Sequence, residues 1–175
     1  MKNALRLSFI LGLVATLSTM ALAGVNALTS PMIREQQAQR FRAAVAVAFP
    51  SSTSFKIIAT EDDTYSPYLV EVLEIFEDSA TIGFIYNKRV PGFGGPINYV
   101  MGVGLGGEFV SFDALSHSET PGFGARVFDE DEFHERLMAS RAGQGVDALS
   151  GATNTSNAIF RGLDALYADF RTRMN

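Results

Sequence analysis

Residues 97–116 read INYVMGVGLGGEFVSFDALS. Two β-prone runs, 97–105 and 109–116, flank Gly106-Gly107, and a glycine pair between such runs is a strong hairpin signal. Working outward, YLVEVLEIF at 68–76 and TIGFIY at 81–86 flank the turn-like Glu77-Asp78-Ser79, which predicts a second antiparallel hairpin. FKIIA at 55–59 adds a short strand. Downstream the periodicity changes. Asp129 or Asp131 is placed to cap a short helix with Phe133 and Leu137 on one face. Ile159, Leu163, Leu166 and Phe170 recur at four, three and four, which predicts a helix over about 156–173. Strands followed by segregated helices specify an α+β fold, an antiparallel sheet flanked by helices.

The N-terminus has a different character. Residues 7–25, LSFILGLVATLSTMALAGV, carry no charge, and nineteen helical residues span roughly 28 Å, about the hydrocarbon thickness of a bilayer. Lys2 and Arg6 precede the run and orient the N-terminus to the cytoplasm. Ala21-Leu-Ala23 fits a signal-peptide cleavage site, but the run is long for a signal peptide and is read as a retained anchor. Pro31 suits the start of a further helix, either separate from the anchor or continuous with it, with Ile33, Gln37, Phe41, Val45 and Ala48 on one face, ending at Phe49-Pro50. The expected organisation is an anchor at 1–28, a helical stalk at 29–50 and one domain at 51–175.

Composition removes several chemistries. The 175 residues include no cysteine and two histidines, His117 and His134. Disulfides, cysteine-held iron–sulfur clusters and thiolate-attached haem are excluded on this chain, and a histidine-rich metal site is not expected. Both histidines read as polar surface residues. All 19 acidic residues but only 12 of the 14 basic ones lie beyond residue 28, a sign opposite to that of a nucleic-acid binder.

Three loops carry possible chemistry. VPGFGGP at 90–96 holds three glycines and two prolines, a fixed backbone path that a ligand can approach closely, or simply a long hairpin loop. SHSETPGFG at 116–124 leaves a strand and precedes a helix; Pro121-Gly122 fits a type II turn that exposes backbone N–H groups. DALSGATNTS at 147–156 crowds hydroxyls at the start of the last helix, where unpaired N–H groups and a partial positive charge favour an anion. The same hydroxyls serve as ordinary helix caps, and their chemistry alone does not select among Ser150, Thr153, Thr155 and Ser156.

In their order along the chain, these loops resemble the FMN-binding domain of the Rnf and sodium-pumping NADH:quinone reductase complexes. DALSGAT at 147–153 is similar to that family's flavinylation signature, HSETPGFG at 117–124 to its ETPG-[LF]-G loop, and GFGGPI at 92–97 to its glycine–aromatic loop. The short length resembles the Rnf G subunit. The resemblance implies FMN bound through a phosphoester to Thr153, with Asp147, Ser150, Gly151 and Ala152 read by a separate flavin transferase of the ApbE type. It further implies Glu119, Thr120, Gly122, Phe123, Gly92, Phe93 and Gly94 as neighbours of the cofactor, with no catalytic residue and no metal ligand on this chain.

The implied function is an electron-transfer subunit of an ion-translocating complex in the cell inner membrane. It would be a single-pass protein with its domain on the periplasmic side, passing electrons to other subunits rather than acting alone. A free-standing membrane-anchored flavinylated carrier shares every motif, and a cofactor-free envelope binding protein is the reading from another class. Co-purifying partners separate the first two; a colourless protein identifies the third.

Overall fold

The computed structural model describes residues 2–60 and 67–174. Met1, Asn175, residues 61–66 of the expected 51–175 domain, and the side chains of residues 1–5, Lys2 among them, lie outside the described residues. The chain divides into two compact units, Met1–Gln39 and Arg40–Asn175.

The first unit is helical throughout its described length, as part of α1 (Lys2–Ala48). Leu7, Phe9, Leu11, Leu13, Leu17 and Leu22 are all exposed, so the helix shows apolar surface around most of its circumference. Thr16, Thr19 and Thr29 turn their hydroxyls back onto the carbonyls of Gly12, Ala15 and Val25 at 2.8, 2.9 and 2.9 Å. Such internal pairing satisfies the hydroxyls without water, as a lipid environment demands. This helix is long and apolar enough to cross a membrane, which is consistent with single-pass anchoring. Of the two expectations for the stalk, the one continuous with the anchor holds, and Pro31 lies inside α1 rather than at a helix start. The helix is already established upstream and continues through the proline without the one backbone bond its missing N–H would make.

The second unit is built on a five-stranded antiparallel meander: β1 (Ser54–Thr60), β2 (Leu69–Glu77), β3 (Ala80–Pro91), β4 (Pro96–Gly104) and β5 (Phe109–Ser116), in that spatial order. The Gly-Gly turn forms between β4 and β5, where Gly107 N–H donates to the Gly104 carbonyl and Gly104 N–H to that of Glu108, each at 2.9 Å. β3 extends five residues beyond the expected 86. It pairs with β4 in unbroken register from Gly83↔Gly104 to Pro91↔Pro96. Residues 90–96 are therefore the end of a hairpin, and only 92–95 form its tip.

One face of the sheet, with Phe84, Tyr86, Val90, Tyr99, Met101 and Val103, packs in one core with α4 (Thr153–Met174). The stripe Ile159, Leu163, Leu166 and Phe170 is buried there. Burying each such side chain contributes about 2 kcal/mol, against about 1 kcal/mol for a helix cap. The stripe therefore fixes where the helix lies, and the caps decide only where it begins. It begins three residues earlier than expected, at Thr153. Ser156 Oγ bonds back to the Ala152 carbonyl (3.1 Å) from inside the first turn rather than capping it.

The other face, with Leu73, Ile75, Ile85, Val100 and Leu115, is covered by Ala44, Val45, Ala48 and Phe49. Of the expected helical face, Val45 and Ala48 are buried while Ile33 is exposed. Two short helices, α2 (Arg126–Asp129) and α3 (Asp131–Met138), follow β5, and Phe133 and Leu137 of α3 are fully buried. Neither Asp129 nor Asp131 caps α3. The capping position is Glu130, without a side-chain cap bond, because its carboxylate pairs with Arg126 (Nε–Oε1 2.5 Å).

Candidate functional site

Three chain segments converge at one end of the sheet: the β3–β4 tip, the segment after β5, and the start of α4. The second contains a turn in which Phe123 N–H donates to the Thr120 carbonyl (3.1 Å) and Gly122 takes φ +75°, the type II geometry that Pro121-Gly122 predicts. The third contains a turn of the same kind. Ala152 N–H donates to the Leu149 carbonyl (3.0 Å), with Gly151 at φ +79° in the third position. Arg126 holds this second turn, donating from Nη1 to the Ser150 carbonyl at 3.0 Å.

Between them opens a cleft of about 410 Å³, lined by Phe93, Glu119, Thr120, Phe123, Gly124, Gly151, Ala152, Thr153, Asn154 and Thr155. Phe93 is 78% exposed and Phe123 66%, so two aromatic rings stand free at the rim. Thr153 is exposed at the first residue of α4. No acidic residue occupies the first turn of that helix, so its positive end faces the cleft uncompensated from within the helix.

The four hydroxyls at 150–156 now separate. Thr155 is 1% exposed and donates to Glu119 Oε2 at 2.7 Å. Ser156 is fully buried, accepts from the Leu149 N–H (3.1 Å) and donates to the Ala152 carbonyl. Ser150 is exposed but does not line the cleft. Thr153 alone among the four is both exposed and in the cleft lining.

Residues 92–168 match the family described as FMN-binding domain, and residues 1–46 match the RnfG N-terminal region. The sheet-and-helix unit is thus similar to FMN-binding domains, and the N-terminal segment to that of RnfG. It is 25% identical to the G subunit of the proton-translocating ferredoxin:NAD(+) oxidoreductase complex of Clostridium ljungdahlii, over 84% of this chain and 80% of that protein. It is 25% identical to the G subunit of the ion-translocating oxidoreductase complex of Methanosarcina acetivorans, over 80% of this chain and 78% of that one. The protein of the same name from Shewanella piezotolerans is 27% identical over 90% of this chain and 84% of its own length.

For an FMN-binding domain the cleft has a suitable size and lining. Its volume lies within the range of small-molecule sites, its rim offers flat apolar surface to a ring system, and a helix N-terminus beside a free hydroxyl suits a phosphate. Of the residues singled out from sequence, Phe93, Glu119, Thr120, Phe123, Gly151, Ala152 and Thr153 line the cleft. Gly92, Gly94, Gly122, Ser150 and Asp147 do not, and Asp147 is exposed outside it. Gly94 acts from behind, giving its N–H to Glu119 Oε1 at 3.0 Å. Gly124, Asn154 and Thr155 complete the lining: Gly124 closes the 117–124 motif, Thr155 is one of the four crowded hydroxyls, and Asn154 directly follows the 147–153 stretch. Arg126 carried no sequence signal. His117 stacks on Phe128 with centroids 4.4 Å apart, away from the cleft lining.

Proposed function

We propose that this chain is a flavinylated electron-transfer subunit of a membrane ion-translocating oxidoreductase complex, with FMN esterified through its phosphate to Thr153 Oγ1. The single observation that carries the attachment point is the sorting of the hydroxyls: Thr153 is exposed in the cleft, while Thr155 and Ser156 are buried and bonded. The relatives' names, each the G subunit of a translocating complex, support the assembly with other subunits.

In the attachment step a flavin transferase of the ApbE type uses FAD and Mg²⁺. The Thr153 hydroxyl oxygen forms a bond to the phosphorus of the FMN half, the pyrophosphate bond breaks, AMP leaves, and the hydroxyl proton passes to solvent. Gly151 and Ala152 keep the approach narrow-walled and free of bulk. The N-terminus of α4 stabilises the resulting phosphodiester charge by about 0.3–1 kcal/mol. Phe93 and Phe123 offer their faces to the ring system, and Thr120 offers a hydroxyl.

When bound, the flavin supplies the electron-carrying chemistry, and the protein supplies position and surroundings. The tether keeps the cofactor with a domain that α1 holds at the membrane, on the periplasmic side by the bias of Lys2 and Arg6. On this reading residues 1–28 anchor, 29–50 form a stalk and 51–175 carry the flavin. Electrons pass to and from carriers on neighbouring subunits.

The test is co-expression with a flavin transferase followed by intact mass of the membrane-extracted protein. A gain of one FMN less water, absent in Thr153→Val, is expected. Full covalent flavin in that variant sinks the assignment.

A further inference from the structure

Glu119 sits in the cleft wall, yet its carboxylate is committed to the protein. It is 5% exposed. Oε1 accepts from the Gly94 N–H at 3.0 Å, and Oε2 accepts from Thr155 Oγ1 at 2.7 Å. These bonds join the turn after β5 to the β3–β4 tip, 25 residues away, and to the first turn of α4, 36 residues away.

Space around the carboxylate is reserved for it. A Cβ at Gly92 would strike Oε1, and one at Gly124 would strike Oε2 and Thr155 Oγ1. Both partners are neutral donors. A carboxamide can therefore copy the arrangement, its oxygen accepting from Gly94 and its nitrogen donating to the Thr155 hydroxyl, which also accepts.

We propose that Glu119 is a positioning residue: it staples the 92–95 tip and the Thr120–Phe123 turn to the start of α4, and the cleft facing Thr153 keeps its shape only while both bonds are made. Its contribution is geometric and does not require the negative charge. This rests on the reading of Thr153 as the FMN attachment point for its consequence, but not for the staple itself.

The experiment uses the full chain in detergent as wild type, Glu119→Gln, Glu119→Asp and Glu119→Ala. Two quantities are read: hydrogen exchange of the Gly94 amide before flavin loading, and FMN incorporated by the transferase at fixed time. Exchange of Met101 in β4 reports whether the sheet is intact.

Alanine, and aspartate (one methylene too short for both bonds), are expected to speed Gly94 exchange about tenfold or more and to cut FMN incorporation about tenfold, while glutamine stays within about threefold of wild type on both. Glutamine failing as badly as alanine would overturn the geometric role in favour of a charge requirement. Alanine matching wild type at Gly94 would remove the staple altogether. If the wild type takes up no flavin, the attachment reading fails, and the Gly94 exchange still decides the staple. If alanine loosens Met101 as well, aspartate and glutamine carry the comparison.

Discussion

Thr153 and Thr155 stand two residues apart on the first turn of α4 and meet opposite environments. The first is exposed in the cleft, and the second is 1% exposed with its hydroxyl 2.7 Å from Glu119 Oε2. Replacing each by valine should separate their duties before any flavin is added. Thr155→Val leaves a buried carboxylate oxygen without its donor and should cost about 1–3 kcal/mol in urea unfolding. Thr153→Val should stay within about 0.5 kcal/mol of wild type, as exposed substitutions do. Equal losses at both positions would contradict the burial difference.

Two glycines of the same motif should differ for a related reason. At Gly122 the backbone is left-handed (φ +75°) but a Cβ meets nothing within 4 Å, so Gly122→Ala carries only the backbone penalty, about 1 kcal/mol. At Gly124 a Cβ runs into Glu119 Oε2 and Thr155 Oγ1, so Gly124→Ala should cost about 2–3 kcal/mol and should also disturb Glu119. Chemical denaturation of the two variants side by side checks the order.

Lys88 makes stability depend on pH. It is fully buried, with Nζ donating to the Pro67 carbonyl at 3.3 Å. Burial pushes its pKa down to about 8 from an ordinary 10.5, with Asp169 opposing the shift. Below pH 8 the folded and unfolded chains both carry the proton, and the folded state bears the cost of a buried charge. Between about 8 and 10.5 the unfolded chain binds more proton than the folded one, so unfolding free energy rises with pH, by at most about 3 kcal/mol. Lys88→Met should flatten that rise. Urea midpoints measured from pH 7 to 10.5 for both proteins test it, and parallel profiles would exclude the lysine as the source.

Tyr86 gives the opposite kind of test, a deletion that should do no harm. Its hydroxyl is buried with no hydrogen-bond partner in bonding geometry among the described residues, and burial, followed by the nearby Asp169, drives its ionisation far upward. Asp169 is already held by Arg173, with Nε–Oδ2 at 2.5 Å and Nη2–Oδ1 at 3.0 Å. Tyr86→Phe should therefore be neutral or stabilising by up to about 1 kcal/mol. A loss larger than that in thermal or urea unfolding would mean the hydroxyl has a role the geometry does not display.

The β2–β3 and β4–β5 hairpins and the α4 stripe were legible because side-chain periodicity reports local burial directly. The β3–β4 hairpin was legible only as a long loop at 90–96; its extent was not, since Asn87-Lys-Arg interrupts the apolar pattern. Lys88 sits within the sheet with its terminus bonded to the Pro67 carbonyl and near Asp169, contacts that sequence spacing does not encode. Pro31 misled for a similar reason, as a local preference for helix starts was overridden by a helix already running.

At the site, the motifs located the three loops and the resemblance pointed to position 153. What the letters withheld was how the four hydroxyls differ in surroundings: α4 turns Thr155 and Ser156 inward, and the Glu119 bonds that fix this end of the helix span 25 and 36 residues.

The ladders of the sheet are not alike. Those joining β1 to β2, β2 to β3 and β4 to β5 each contain a register shift, whereas β3 and β4 run from Gly83↔Gly104 to Pro91↔Pro96 without one. A gained or lost residue in the interrupted ladders has a ready place to be absorbed. In β3 or β4 it would turn every following side chain to the wrong side and carry Phe93 away from Thr153. Length variation among natural homologues should thus avoid this hairpin and accumulate elsewhere in the sheet.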